Sequence, residues 1–383
     1  MFATHHAPYH LPRLSGVGPI FWTHAIRGIS ESLAAVFVPI YLHQLGYSLT
    51  AIFGYLALAG LIWSGLVYPV FRLMNRFGSA RLMAVSLLFS AANFGLLLTL
   101  SHFHWSLALI AAAWALQTSL YWPAMRATFA KNLAHRRTGR TVSAWSAITT
   151  VATSLAPAIG GLIAMTAGPR SIYGVAIFGF LAAALPISLE NNQVKHSSFD
   201  FSAIRQQWRT WRRDIAANFS DTVNDGIQGN AWPLFIFFLF PTYAAVGALS
   251  SVMALSSIAV ALYVGRHEEK RGPKRYIKEG TSLIALGGFF RLFAVTGLHV
   301  TGINVLTGFG YSLYLTAYNT QYYERIEAEG LPYLFAMQLI SAVAWAVLFG
   351  TLCLLSLVLT PSVTLLTAFA LAIPASFGIR LIR

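Results

Sequence analysis

Residues 24–39 read HAIRGISESLAAVFVP, and residues 218–233 read NFSDTVNDGIQGNAWP. At an offset of 194 residues His24 falls on Asn218, Arg27 on Asp221, Glu31 on Asp225 and Pro39 on Pro233. Polar and ionisable residues are scarce in the apolar sequence around them, so their coincidence at one offset marks an internal repeat. The repeat extends outward from this stretch. The same offset lays Asn75-Arg76-Phe77-Gly78 on Glu269-Lys270-Arg271-Gly272 and Arg81 on Arg275, and one residue less lays Ser119-Leu120-Tyr121 on Ser312-Leu313-Tyr314 and Ala124 on Ala317.

The chain has 383 residues, 56% hydrophobic and 10% charged, a balance foreign to soluble domains. Crossing a hydrocarbon core takes about 20 apolar residues. Such stretches are predicted at 17–42, 49–71, 80–100, 105–129, 141–166 and 171–189, then at 215–240, 244–264, 277–297, 302–323, 332–357 and 362–379. The expectation is an all-α integral membrane protein with 12 transmembrane helices in two pseudo-symmetric six-helix bundles. The bundles are expected at residues 1–189 and 215–383. Between them, 190–214 is polar and basic (QQWRTWRRD at 206–214) and reads as an amphipathic helix lying on the inner leaflet.

A formal charge of +14 would suit nucleic acid, but in a membrane protein the position of the charges matters more than their sum. Alternate loops hold Arg72, Arg76 and Arg81, then Lys131 to Arg140, Lys195 to Arg213, Arg266 to Lys278, and Arg325. The intervening loops hold Arg170 alone. The positive-inside rule then places both termini in the cytoplasm, in the inner (plasma) membrane of a bacterium, and no nucleic-acid partner is implied. The polar start MFATHHAPYHLPRLSG lacks a cleavable signal pattern. With Cys353 as the single cysteine and no ligand cluster, neither metal nor cofactor is expected.

Gly265-Arg266-His267-Glu268-Glu269-Lys270-Arg271-Gly272, followed by Lys274 and Arg275, resembles the Gly-x-x-x-Asp-Arg-x-Gly-Arg loop of the major facilitator superfamily (MFS). The first copy departs from it, with Phe71 and Asn75 in place of the Gly and the acid but Arg76, Gly78 and Arg81 retained. Ala156-Pro157-Ala158-Ile159-Gly160-Gly161 in the fifth span is similar to the Gly-Pro-x-x-Gly-Gly pattern of the family's antiporters. The resemblance covers nearly the whole chain. It implies alternating access about a central cavity lined by spans one, four, seven and ten, with Gly265, Glu269, Lys270, Gly272, Asn75, Arg76, Gly78, Pro157, Gly160 and Gly161 in gating. An acid at a helix end among guanidinium groups can latch two helices, so gating is expected to lean on Glu269. The family's proton-linked Arg early in span four is missing, because that stretch reads Leu107-Ala108-Leu109-Ile110.

Ionisable groups inside a membrane helix are expensive and therefore functional candidates. His24, Arg27 and Glu31 share one face of the first span. Asn218, Asp221, Asn224, Asp225 and Gln228 lie mostly on one face of the seventh. Glu31 has a cation one turn away, whereas Asp225 has a second acid, Asp221, whose repulsion is relieved by taking up one proton. Asp225 is thus the first candidate for the coupling proton and Glu31 the second. Trp114, Gln117, Tyr121 and Trp122 in span four, with Tyr311, Tyr314, Tyr318 and Asn319 in span ten, supply an aromatic wall suited to an amphipathic or cationic substrate. Arg126 and Arg291 read as snorkelling anchors.

The expected function is a proton-coupled antiporter exporting a small amphipathic or cationic compound, not an enzyme, working as a monomer with protons, substrate and the bilayer as partners. The alternatives are a symporter or uniporter for a polar metabolite and a sensor that has lost transport.

Overall fold

The computed structural model describes residues 18–133, 153–188 and 201–382, without the side chains of 18, 131–133, 201–203, 205 and 259–271. Span one runs through Gly18–Ala34, a 3-10 turn at Ala35–Phe37 and Val38–Gln44. Spans two, three and four are Leu49–Phe77, Ser79–Phe103 and Leu107–Leu133. Span five is described over Ala156–Ala167, and span six is Pro169–Ser188. Span seven joins Phe201–Gly226, a π-turn at Ile227–Ala231 and Trp232–Leu239. Spans eight to eleven are Tyr243–Arg271, Pro273–Arg291, Gly297–Glu329 and Leu331–Leu355. Span twelve is Pro361–Gly378 with a last 3-10 turn at Ile379–Leu381. Six of the described helical segments are long and apolar enough on their own to cross a membrane. Spans seven and ten are not among them, because each gives a face to polar groups.

Each packing within the first half has its mate in the second. Span one packs on five and six, span two on four, and span three on four and six. Span seven packs on eleven and twelve, span eight on ten, and span nine on ten and twelve. Between the halves, two packs on eleven and five on eight, contacts that a two-fold axis would exchange. Two pseudo-symmetric six-helix bundles are therefore present.

Small residues make the crossings close. A Cβ added to Gly160 would stand 2.2 Å from the Leu33 carbonyl oxygen, and one on Gly161 would stand 2.5 Å from that of Tyr243. Gly60 abuts the backbone of Ala346 in the same way. Where hydrocarbon replaces water there is no hydrophobic drive between helices, so backbone approach at such sites supplies the packing.

The two prolines of the repeat break their helices in opposite senses. Proline has no N–H to bond the carbonyl four residues before it, so the turn ahead of it must rearrange. In span one the N–H of Val38 bonds the Ala35 carbonyl, a tight turn. At the equivalent position in span seven, the N–H of Trp232 bonds the Ile227 carbonyl, a wide one. The helix ends do match: Gly78 closes span two at φ +82° and Gly272 closes span eight at φ +76°. Only glycine enters that region cheaply.

One expectation needs correction. Residues 201–214 do not form a separate surface helix, because an unbroken helix carries them into span seven. Trp211 is fully buried edge-on against Tyr333 at 5.5 Å, and buried Asp214 lies 3.7 Å from Arg325. These contacts dock the segment beneath spans ten and eleven. Residues 189–200 lie outside the described part.

Candidate functional site

The repeat delivers its two polar faces to the centre, each backed by an aromatic helix of its own half. In span one, Arg27 Nη1 lies 2.5 Å from a Glu31 carboxylate oxygen, the geometry that i, i+4 spacing on a helix allows. The guanidinium lies 4.0 Å above the ring of Tyr121 and 5.2 Å from that of Trp122. His24 Nδ1 is 2.9 Å from the Tyr121 hydroxyl. Arg27 is 2% exposed and the Glu31 side chain 28%, so the pair presents its acid to the central space and hides its cation.

In span seven, Asp221 accepts a hydrogen bond from the Tyr314 hydroxyl at 2.8 Å. Tyr314 belongs to a ladder of rings on span ten, with Tyr311 at 5.4 Å, Tyr318 at 6.3 Å, and Tyr318 to Tyr322 at 6.1 Å. Tyr314 is also the repeat mate of Tyr121. Equivalent positions therefore hold Arg27 on Tyr121 in one half and Asp221 on Tyr314 in the other, with the charge reversed. Asp225, the mate of Glu31, is exposed, and among the described residues no hydrogen bond or ion pair reaches it. The charges within its electrostatic reach are Asp221 on its own helix, Glu31 of span one and Arg126 of span four.

Several expected cavity residues face elsewhere. Gln117 accepts a hydrogen bond from Ser90 of span three at 2.5 Å, and Asn224 accepts one from Ser376 of span twelve at 3.1 Å. Asn218 donates to Ser341 and the Met337 carbonyl of span eleven while accepting from Tyr318 at 3.3 Å. Trp114 stacks on Trp345 at 5.1 Å and meets Trp63 edge-on, at the seam of spans two and eleven. These four knit helices together. Asn319 and Tyr311 are half-buried, and Tyr311 lies within electrostatic reach of both Asp225 and Arg291.

Two arginines are not lipid anchors. Arg291 is 3% exposed, donates to the Gln228 side-chain oxygen in the π-turn, and lies 4.6 Å from the Trp232 ring. Gly287 and Gly288, one turn earlier, press span nine against Thr307 and span twelve. That Gly-Gly pair was the sequence signal that this face is packed. Arg126 donates from Nη1 to the Tyr322 hydroxyl at 3.2 Å, with its guanidinium 5.3 Å from Trp122 and 5.1 Å from Tyr322.

Of the gating candidates, Gly265, Glu269 and Lys270 lie outside the described side chains. Arg76 is exposed over Phe77 at 5.3 Å, and the Asn75 Oδ1 is buried with no hydrogen-bond partner among the described residues. Pro157 opens the described helix of span five, after a break at Leu155.

The halves meet at both ends of the bundle. At the basic face, which carries the loops after spans two and eight, Phe71 meets Phe335 at 5.3 Å and Phe129 meets Tyr323 at 4.9 Å. At the opposite face, Tyr243 donates to Gln44 at 2.7 Å and packs on Phe37. The acids lie between these two seams.

A family model described as Major Facilitator Superfamily matches residues 20–349. No curated protein matches. Among solved structures, a crystal structure of a POT family transporter in complex with 5-aminolevulinic acid superposes with a TM-score of 0.68 at 14% identity, covering 95% of this chain and 95% of that one. At that identity the likeness is one of fold.

Proposed function

The chain belongs to the Major Facilitator Superfamily and is a secondary transporter, and from that premise we propose that it is a proton-coupled antiporter that exports a small cationic or amphipathic compound. The observation that carries this reading is Asp225, exposed between two seams and without a partner among the described residues, while its mate Glu31 is bonded to Arg27. A carboxylate with no fixed cation takes either a proton or a substrate cation, and the two exclude each other. Such competition at one site, combined with alternating access, is antiport. The ring of half-buried Tyr311, within electrostatic reach of Asp225, suits an aromatic-backed cation. In this reading the basic face is cytoplasmic and the membrane is the bacterial inner membrane.

A second reading, symport of a polar metabolite, is favoured by one observation. Arg27 Nε and Nη2, the bidentate edge of its guanidinium, are buried without a hydrogen-bond partner among the described residues, an edge that fits a carboxylate. A thermal-shift screen of the purified protein against cations and carboxylates identifies a ligand, because binding to the folded state raises stability. Proteoliposomes with an imposed proton gradient then decide the direction. Asp225→Asn retains shape but cannot titrate, so driven transport is expected to vanish while ligand binding persists. Concentrative transport by Asp225→Asn would overturn the assignment and pass the proton to Glu31.

A further inference from the structure

Arg126 bridges the two halves in a way that its position at the end of span four does not announce. Its guanidinium is held between Trp122 of its own helix and Tyr322 of span ten, and its Nη1 bonds the Tyr322 hydroxyl at 3.2 Å. One turn further along, Phe129 and Tyr323 close the same seam. A cation between two aromatic faces is attracted to both, and more strongly when shielded from water. Opening the cavity toward the basic face between spans four and ten requires this contact to part.

What holds the cation there is electrostatic as well. From span ten it faces Tyr318, Tyr322 and Tyr323, and from span seven Asp221 and Asp225. Tyr333 of span eleven lies behind Tyr322 at 6.1 Å, its ring tilted by 56°. Trp122 carries a second guanidinium, because Arg27 lies 5.2 Å from it. Arg27 has its own counter-ion in Glu31. Arg126 has no carboxylate in contact among the described residues, so the span-seven acids supply the balancing charge from a distance.

We propose that Arg126 latches spans four and ten on the basic face, and that protonation of Asp221 and Asp225 releases it. With the acids ionised, the latch is closed. Neutralising them leaves two guanidinium groups about one tryptophan with a single carboxylate between them, and the outer one leaves. The cavity then opens to the basic face in its protonated state, where a proton can be exchanged for substrate. The release step rests on the proposed proton-carrying acids, whereas the latch itself rests on the geometry alone.

The test is a distance measured across the basic face. In full-length protein in nanodiscs, with Cys353→Ser as background, spin labels at Phe77→Cys and Glu327→Cys report the separation of the halves at exposed sites outside the site. Wild type is expected to shift toward long distances between pH of about 8 and pH of about 5, the range in which tuned carboxylates titrate. Arg126→Gln is expected to be long at both, with the open fraction at high pH raised by roughly tenfold. Asp221→Asn combined with Asp225→Asn should match it, and Arg126→Lys should keep part of the pH response. Tyr322→Phe, which keeps the ring and loses the hydroxyl, should open at a higher pH than wild type. Arg126→Gln or Tyr322→Phe closing as wild type does overturns the latch. A wild-type distance indifferent to pH, with Arg126→Gln long, overturns the proton control and leaves the latch standing.

Discussion

In span one Glu31 is bonded to Arg27 one turn before it, whereas in span seven the equivalent Asp225 follows a second acid, Asp221, which is bonded to Tyr314. The helices belong to one repeat and are backed by the matched Tyr121 and Tyr314, so at the position of Arg27 and Asp221 the same frame carries opposite charge. The same contrast appears in the backbone, which overwinds ahead of Pro39 and underwinds ahead of Pro233. A wide turn carries one more residue than an α-turn and re-aims the helix beyond it; such turns recur at functional sites. Here it presents Gln228 to Arg291, the buried cation that span one's half lacks. The equivalent position in that half is Leu97. One half thus holds its acid in an ion pair, while the other leaves Asp225 without one among the described residues, the asymmetry that the proposed exchange of a proton for a substrate cation uses.

The strongest way to break the comparison is to make span seven resemble span one. Asp221→Arg gives Asp225 a cation at the i−4 position, the arrangement of Arg27 and Glu31. Proton-driven transport in proteoliposomes is expected to fall about a hundredfold, equivalent to about 2.7 kcal/mol. Transport that survives the change would mean that charge reversal at this position does not distinguish the halves.

Removing the cation from span one tests the other side. Arg27→Gln leaves Glu31 unpaired and removes the contacts to Tyr121 and Trp122. Breaking a fully buried pair costs about 3–5 kcal/mol. With Glu31 28% exposed, the loss of stability is discounted to about 1–3 kcal/mol. It should appear as a lower apparent melting temperature in detergent. An unchanged melting temperature would show that the buried pair and its aromatic contacts do not brace span one against span four.

Much of this is legible in the sequence alone. Apolar length gives the spans, and one offset gives the repeat together with the pairing of His24, Arg27 and Glu31 with Asn218, Asp221 and Asp225. Helical periodicity says which residues share a face but not which neighbour covers it. Gln117 and Asn224 therefore read as cavity residues although Ser90 and Ser376 bind them. Arg126 and Arg291 mislead for the same reason, since a cation near a helix end can reach for lipid headgroups or for an aromatic across a seam. The continuation of 201–214 into span seven is hidden by composition, because QQWRTWRRD is polar enough to stop an apolar run without stopping the helix.

Gly160→Ala probes the seam of spans one and five. A Cβ there meets backbone, the Leu33 carbonyl oxygen at 2.2 Å, so relief requires the helices to separate. Overpacking of this kind costs about 1–3 kcal/mol. Gly174→Ala, with nothing within 4 Å of its added Cβ, is the control and should leave the melting temperature unchanged. Equal effects of the two substitutions would show that close approach at Gly160 is not what orders this seam.

The smallest effect tests where the halves agree. Gly78 and Gly272 end their helices at φ +82° and +76° with extended ψ, a region nearly reserved to glycine that costs an L-residue about 1–3 kcal/mol. An added Cβ at Gly272 meets nothing within 4 Å, so Gly272→Ala loses stability through backbone conformation alone. Gly78→Ala should lose the same amount if the two loops differ only in charge, Asn75 standing where the second half has Glu269. Thermal unfolding of each variant beside wild type measures both. Matched losses mean that the repeat keeps its loop backbone and varies only the chemistry placed on it. A clearly larger loss at Gly78 would show that the first loop, without its acid, depends on its backbone more than the second does.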